Sequence, residues 1–337
     1  MKGYSFLKNN IVNVIGSKMN LGNIHKGVAL GPQAIRNSGL DRIITKNEWK
    51  YNDLGDISIS DLIIDKSKQY SNSNDKVQVK NGYEIGKMNG ILHNKVFEYS
   101  TKNEFVLVLG GDHSIASGSI SALKKSYNNL KVIWIDAHAD INTPLSSPTK
   151  NYHGMPVSHL LGMVEKNEIP GFDWLEPNLK SIDIVYIGIR DLDQCEVDHL
   201  KRNNIRYYNM YSIDKLGIGK VMNEINEYFS ESVGSNKYPV HISFDIDGMD
   251  PSVIKQTGTL VRNGLSDREA KYIIRNVVET GNLVSLDIVE LNPELGNEND
   301  KIFREHYLYE DPLIKGTQST LFCLELVNES LRYKYLF

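Results

Sequence analysis

Val132-Ile-Trp-Ile-Asp-Ala-His-Ala-Asp140 is a short apolar run that ends in two acidic residues and a histidine. A short apolar run between polar neighbours is typical of a strand that is buried on both faces of a parallel sheet. The chain contains further runs of this kind at residues 11–15, 105–109, 184–189, 240–244 and 283–289. Helical patterns separate these runs, so the sequence predicts an α/β fold around a central parallel sheet.

The helical pattern is clearest in residues 266–279. Ser266 and Glu269 form the capping box that begins many helices, and Gly281 is placed to end this one. Apolar residues recur at helical spacing between these two ends, at Ala270, Ile273, Ile274, Val277 and Val278. The pattern predicts an amphipathic helix with one apolar face.

The composition excludes several classes of protein. Of the 337 residues, 40% are hydrophobic and 24% are charged, which is typical of a globular chain. The net charge of −4 and the lack of a long basic cluster argue against a nucleic-acid partner. Cys195 and Cys323 are too far apart for a C-x-x-C motif, which favours a reducing compartment. No apolar run approaches the roughly 20 residues that cross a bilayer, so we expect no membrane association and a cytoplasmic location.

Chemically active residues follow the predicted strands where each one ends. The run at 105–109 leads into GGDHS, the run at 132–135 into DAHAD, and the run at 184–189 into RDLD. The run at 240–244 leads into DIDGMDP, and the run at 283–289 into ELNP. Because ligands of open α/β sheets bind at the carboxyl ends of the strands, we expect a site at this edge.

Six of these residues form a candidate metal centre, namely His113, Asp136, His138, Asp140, Asp245 and Asp247. Alternate residues of an extended chain point to the same side, so neighbouring ligands can share an ion. Four carboxylates close together repel each other unless cations lie among them. Six ligands are too many for one catalytic ion with an open position and suit two ions roughly 3.5–4 Å apart. An oxygen-rich ligand set without thiolates favours Mn²⁺ over zinc.

Four segments, in order along the chain, carry a family resemblance: GGDHS at 110–114, DAHADIN at 136–142, SFDIDGMDP at 243–251 and SLDIVELNP at 285–293. Each motif is weak alone, but together they resemble the ureohydrolase family and, within it, the arginase branch. The resemblance implies a three-layer α/β/α fold, a single catalytic domain over residues 1–337 and two Mn²⁺ ions per chain. We expect the polar segment 65–75 to be a surface loop.

The resemblance also implies the ligands of each ion. One manganese ion would be held by His113, Asp136, Asp140 and Asp245, and the other by His138, Asp136, Asp245 and Asp247. A hydroxide that bridges the ions would attack the guanidinium carbon of L-arginine and release L-ornithine and urea.

Four residues around this centre resemble functional groups of the family. Asp140 would orient the hydroxide and pass its proton to the departing amine. Glu290 would fix the substrate guanidinium, with Thr259 as a neighbour of the site. His153 resembles a mobile proton shuttle, although a histidine in NYHGMPV is otherwise typical of a surface loop.

The loop 142–154 favours L-arginine over agmatine, which lacks an α-carboxylate. Asn142, Thr149 and Asn151 offer amide and hydroxyl groups that suit a carboxylate. The resemblance places these groups at the mouth of the site.

The loop 190–196 is the second part of the mouth. By resemblance, Asp193 would face the α-ammonium group of the substrate, and Asp191 and Glu196 would support it. Asp191 and Asp193 are also suited to capping the helix that follows, and the two roles are compatible.

Two further features concern the rim and the assembly. Leu260-Val261-Arg262-Asn263 stands where the family usually has Pro and then Gly-Gly, and Asn tolerates the positive φ of such a turn. Three residues match positions that form ion pairs between subunits of trimeric relatives, namely Asp214, Arg268 and Glu269. The resemblance therefore implies a homotrimer.

Three alternatives stay open at this point. Agmatinase or another guanidino-compound ureohydrolase would share the metal ligands and differ at the mouth. A non-catalytic relative would not need the complete ligand set that this chain retains. A two-metal phosphoesterase would need a cation beside the ions to hold phosphate, and Arg190 is the one candidate at a strand end.

Overall fold

The computed structural model describes residues 4–62, 79–296 and 311–332. These residues contain one parallel sheet in the order β2-β1-β3-β8-β7-β4-β5-β6. Its strands are β1 (Ile11–Ser17), β2 (Lys50–Ile57), β3 (Phe105–Gly110), β4 (Lys131–Ile135), β5 (Ile184–Ile187), β6 (Arg206–Tyr208), β7 (Val240–Asp245) and β8 (Leu283–Val289). The predicted parallel α/β sheet is confirmed.

The two edge strands are absent from the prediction. Strand β2 alternates between exposed and half-buried residues, and strand β6 begins with two exposed residues, so neither is a continuous apolar run. The predicted strand 184–189 is too long, because Gly188 has a φ of 96° and ends strand β5 at Ile187. A φ in this range is incompatible with extended strand geometry.

Helices cover both faces of the sheet. They are α1 (Gly31–Asn37), α2 (Leu40–Lys46), α3 (Gly82–Ser100), α4 (Ala116–Ser126), α5 (Pro156–Leu160), α6 (Gln194–Arg202), α7 (Met210–Leu216), α8 (Ile218–Val233), α9 (Asp267–Thr280) and α10 (Gln318–Leu331). Successive strand residues point to opposite faces. Ile133 belongs to an apolar cluster that includes residues of α8, α9 and α10, whereas Trp134 belongs to a second cluster that includes residues of α3 and α4. The result is a three-layer α/β/α arrangement.

The predicted helix at 266–279 begins and ends almost as expected. Ser266 accepts a hydrogen bond from the Glu269 N–H at 3.3 Å, and the Glu269 carboxylate accepts one from the Ser266 N–H at 2.9 Å. Gly281 ends the helix with a φ of 74°. The capping box and the glycine stop are therefore confirmed.

Two expectations concern the rest of the surface. The segment 65–75 lies outside the described residues. Within the described ranges, the helices are too short or too polar to span a membrane.

Candidate metal centre

His113 follows strand β3 in the sequence, and one of its ring nitrogens faces three carboxylates. Its Nδ1 is 3.2 Å from a carboxylate oxygen of each of three residues, Asp136, Asp140 and Asp245. Its Nε2 is 2.9 Å from the Ser243 hydroxyl, and its ring stacks on Trp134 at a centroid distance of 4.0 Å. The hydroxyl and the indole fix the ring, so that Nδ1 faces the carboxylates.

His138 faces the other side of the same cluster. Its Nδ1 is 3.2 Å from Oδ1 of Asp136 and 3.3 Å from Oδ2 of Asp247. Oδ2 of Asp136 is the oxygen that faces His113. The two oxygens of one carboxylate thus serve two imidazoles, and the cluster divides into two groups of possible ligands that share Asp136.

The electrostatics of the cluster suit cations. Burial, together with repulsion from Asp247 and Asp136, raises the pKa of Asp245 well above its usual value. Burial and the charge of Asp136 also raise the pKa of Asp140, to about 6. One ring nitrogen donates at most one proton, which cannot satisfy three carboxylates at equal distance. Divalent ions among these oxygens would remove the repulsion, so the donor set fits a metal centre.

Asp140 and Glu290 have unusual backbone conformations. Their φ angles are 49° and 64°, in the left-handed region that non-glycine residues rarely adopt. The Glu290 N–H donates to the Gly111 carbonyl at 2.8 Å, which fixes this conformation. Strained residues of this kind concentrate at functional sites, where the surroundings hold them.

The Glu290 carboxylate is held by a residue that sequence reasoning missed. Asn23 Nδ2 donates to Oε2 at 2.8 Å, and the His113 backbone N–H donates to Oε1 at 2.9 Å. Asn23 lies in the loop after β1, which ends at the same edge of the sheet as the metal centre. Asn23 does not follow its strand directly. The sequence therefore offers only the shared edge of the sheet as a reason to predict that Asn23 lies near the site.

His153 lies beside this carboxylate. Its Nδ1 is 3.5 Å from Oε1 of Glu290, and 24% of its side chain is exposed. Burial lowers the pKa of His153, but the hydrogen bond and charge of Glu290, with the charges of Asp140 and Asp112, raise it to about 9. A half-buried, positively charged imidazole at the wall of the cavity is suited to proton exchange with solvent.

The mouth of the cluster is a cavity of about 170 Å³. Its walls bring together most of the predicted residues, namely His138, Asp140, Asn142, Thr149, His153, Asp193, Glu196, Asp245, Asp247 and Thr259. Thr259 donates a hydrogen bond to Oδ2 of Asp247 at 2.6 Å. Glu290 is outside this wall and is almost fully buried, 3.5 Å from His153 Nδ1.

Asp193 has two partners in this wall. Its Oδ2 accepts a hydrogen bond from Asn142 Nδ2 at 2.8 Å, and its Oδ1 caps α6 by accepting the Glu196 N–H at 3.0 Å. The Glu196 carboxylate accepts a hydrogen bond from the Asp193 N–H at 3.2 Å, which completes a capping box. Burial and the charges of Asp140 and Asp193 raise the pKa of Glu196 to about 8. The predicted capping of this helix by Asp193 is confirmed.

Two predicted mouth residues lie outside the cavity wall. Asn151 is buried, and its amide oxygen accepts a hydrogen bond from Lys80 at 3.3 Å. Asp191 is 65% exposed, and its Oδ2 is 3.7 Å from Nε2 of His138. Asp191 does not cap α6, because Asp193 holds that position.

Arg190 has a structural role. Its guanidinium donates to the backbone carbonyl groups of Gly188, Asp247, Gly248, Met249, Val261 and Arg262. Its donors are therefore engaged and cannot hold a phosphate at the metal centre. These bonds also tie the segment 260–263 to the loop after β7.

The Asp250 carboxylate also holds the unusual turn at 260–263, in addition to the bonds from Arg190. Asn263 has a φ of 62°, as expected, and its N–H donates to Oδ2 of Asp250 at 2.8 Å. The same oxygen accepts the Gly264 N–H at 3.2 Å. Side-chain contacts thus hold the turn without the usual proline and glycine pair.

The predicted interface residues lie on the surface. Asp214 and Arg268 are exposed, whereas the Glu269 carboxylate belongs to the capping box of α9.

This fold and this site define a three-layer α/β/α protein with a candidate metal centre at the carboxyl edge of its parallel sheet. A family model described as "Arginase family" matches residues 10–305 of the chain. The chain is 44% identical over 299 residues to Arginase-1 of Sus scrofa, and the match covers 88% of this chain and 89% of that relative. The chain therefore belongs to the arginase family.

Structures of arginases have the same fold. The native structure of arginase from Bacillus caldovelox has a TM-score of 0.80 at 32% identity, covering 97% of this chain and 99% of that one. The structure of Entamoeba histolytica arginase in complex with L-ornithine has a TM-score of 0.77 at 26% identity, covering 97% and 99%. These matches confirm the three-layer α/β/α fold and the family resemblance of the sequence motifs.

Proposed function

We propose that this chain hydrolyses L-arginine to L-ornithine and urea at a centre of two Mn²⁺ ions, within one catalytic domain. The observation that supports it most is Asp136, whose two carboxylate oxygens face the two imidazoles His113 and His138. A carboxylate in this position suits two ions that share it. The family membership and the L-ornithine in the Entamoeba histolytica arginase structure support the substrate.

Each ion would have its own ligands around the shared carboxylates. His113 and Asp140 would hold one ion, His138 and Asp247 the other, and Asp136 and Asp245 would serve both. Manganese, when bound, supplies the positive charge that makes a hydroxide nucleophile available near neutral pH.

The protein residues position the substrate and move its protons. Glu290, oriented by Asn23 and the His113 N–H, would accept hydrogen bonds from the guanidinium group. Asp140 would take the proton of the nucleophile and pass it to the departing amine. His153, which lines the cavity and is 3.5 Å from Glu290, would exchange the second proton of the attacking water with solvent.

The mouth residues would recognise the two charged groups at the α-carbon. Asn142, Thr149 and Asn151 would hold the carboxylate. Asp193 would hold the ammonium, with Asp191 and Glu196 in support. Of these residues, Asn142, Thr149, Asp193 and Glu196 line the cavity.

Urea release from L-arginine and from agmatine by the manganese-loaded protein tests the proposal directly. We expect urea and ornithine in equal amounts from L-arginine. A comparable rate on agmatine would instead indicate an agmatinase, and no urea from either compound would contradict the proposed reaction.

Replacing His153 with Asn tests the proton shuttle. General acid–base groups typically contribute about 10²–10⁴-fold. Because water can partly replace a shuttle near solvent, we expect kcat to fall by about 10–100-fold with unchanged manganese content. The matched control is His199→Asn on α6, which lies outside the cavity wall. An unchanged kcat in His153→Asn would show that His153 is an ordinary loop histidine.

We also propose that the chain forms a homotrimer through the ion pairs of Asp214, Arg268 and Glu269. Exposed pairs contribute only about 0–1 kcal/mol each, so we expect a trimer that weakens at high salt. Sedimentation at micromolar concentration should show the trimer, and Arg268→Glu should dissociate it while Arg202→Glu does not. A monomeric wild-type protein would contradict the proposal.

A further inference from the structure

A buried tyrosine lies one residue before the proposed proton shuttle. Tyr152 and His153 belong to one short helical turn, Tyr152–Gly154, in the loop 142–154. The Tyr152 side chain is fully buried, whereas His153 lines the cavity at the metal centre. Because the two residues share this turn, a contact that fixes Tyr152 also fixes the backbone that carries the His153 imidazole.

The Tyr152 hydroxyl has partners on two helices. Its oxygen is 2.8 Å from the Ser117 hydroxyl on α4 and 2.8 Å from Nδ1 of His159 on α5. Both partners are buried as well. The Phe172 ring packs on this group, at a centroid distance of 4.7 Å from each of the rings of Tyr152 and His159. The three polar groups therefore satisfy one another in the interior of the protein.

The charge state of His159 determines the direction of these bonds. Burial lowers the pKa of His159 to about 4, so its imidazole is neutral near pH 7 and one ring nitrogen accepts a hydrogen bond. All three groups are satisfied when Ser117 donates to the Tyr152 oxygen and Tyr152 donates to Nδ1 of His159. Removing one of them leaves a buried polar partner without its bond, which is costly.

The two helices also carry other parts of the proposed site. Helix α4 begins three residues after His113, a proposed metal ligand. On α5, the Val157 N–H donates to the Asp140 carbonyl at 3.1 Å. The Tyr152 hydroxyl therefore connects the turn that carries the shuttle with the segments next to two proposed metal ligands.

We propose that Tyr152 and His159 are positioning residues for the proton shuttle, because their hydrogen bond holds His153 at its distance of 3.5 Å from the Glu290 carboxylate. Neither residue belongs to the cavity wall, so they act through His153 and not on the substrate. The proposal deepens the arginine hydrolysis proposed above and rests on it. A misplacement of about 1 Å can cost an enzyme up to about 10²-fold in rate, so such support matters for turnover.

Replacing Tyr152 with Phe removes one oxygen atom and keeps the ring that packs on Phe172. We expect kcat for L-arginine to fall by about 3–10-fold with unchanged KM and manganese content, because His153 loses its fixed position. In the His153→Asn background the same substitution should have no further effect, since no imidazole is left to position. Tyr127→Phe is the matched control. It removes a buried hydroxyl that donates to the Ser100 carbonyl, outside the cavity wall, and should leave kcat unaltered.

His159 provides an independent pair of variants. The amide of an asparagine lies at about the position of Nδ1 and can accept the bond from Tyr152, whereas leucine removes the acceptor. We therefore expect His159→Asn to keep most of the turnover, and His159→Leu to lose as much kcat as Tyr152→Phe. Equal losses in His159→Asn and His159→Leu would show that the hydrogen bond has no role and would overturn the proposal.

Crystal structures of the manganese-loaded wild type and of Tyr152→Phe test the positioning without any assay of urea. We expect the distance from His153 Nδ1 to Glu290 Oε1 to increase by about 1 Å or more in the variant. An unchanged position of His153, or an equal loss of kcat with and without its imidazole, would overturn the proposal. If the wild-type protein releases no urea, the proposed hydrolysis fails, and the two structures still decide whether Tyr152 positions His153.

Discussion

Replacing Asp136 with Asn should lower kcat/KM for L-arginine by about 10³-fold or more, because metal ions supply several kcal/mol of transition-state stabilisation. Asp136 is fully buried, and its two oxygens face His113 and His138. Asparagine keeps the shape of the side chain but provides one neutral oxygen in place of two charged ones. Both groups of ligands should therefore be weakened by a single substitution.

Manganese analysis after dialysis is the direct measurement for this variant. We expect the content to fall from about two ions per chain to about one or fewer. Asp53→Asn is the matched control. Asp53 lies on the edge strand β2 and accepts a hydrogen bond from Arg36. It should retain both ions and full activity. A variant at Asp136 that retains two ions and wild-type turnover would contradict the shared-ligand proposal.

The interior of the sheet could be predicted because burial leaves a pattern in the sequence. Strand β4 is buried along its whole length, and four of its five residues, 132–135, form a continuous apolar run, whereas the edge strands β2 and β6 are partly exposed and have none. The polar residues at the carboxyl ends of the strands could be predicted for the same reason, since parallel strands end at one edge.

Contacts between distant loops leave no such pattern. Asn23 is 267 positions away from Glu290, and only the folded chain shows that the two are hydrogen-bonded. Lys124 and Lys131 are likewise far in sequence from Asp183, and no motif connects them. The motifs therefore located the cluster of possible metal ligands better than the residues that orient it.

We expect substrate choice to depend on the mouth, and Asp193 is the residue whose change should show it best. The wild type should prefer L-arginine over agmatine by at least about 10²-fold in kcat/KM, because removing a recognised polar group leaves buried partners unpaired. Losing one charge-assisted hydrogen bond costs about 1.5–3 kcal/mol. We therefore expect Asp193→Asn to lower kcat/KM for L-arginine by about 10–100-fold and for agmatine by much less.

Asparagine is the informative substitution because Asp193 also caps α6. Asn is as good an N-cap as Asp, so the bond from the Glu196 N–H survives, and the Asn142 amide can turn its oxygen towards the new NH₂ group. Alanine would remove the helix cap together with the charge, so a loss of protein stability could not be separated from a loss of substrate binding. Asp198→Asn makes the same change of charge on the same helix and should leave both rates unaltered. If Asp193→Asn slows both substrates equally, Asp193 does not recognise the α-ammonium group, and the preference for L-arginine must come from other residues of the mouth.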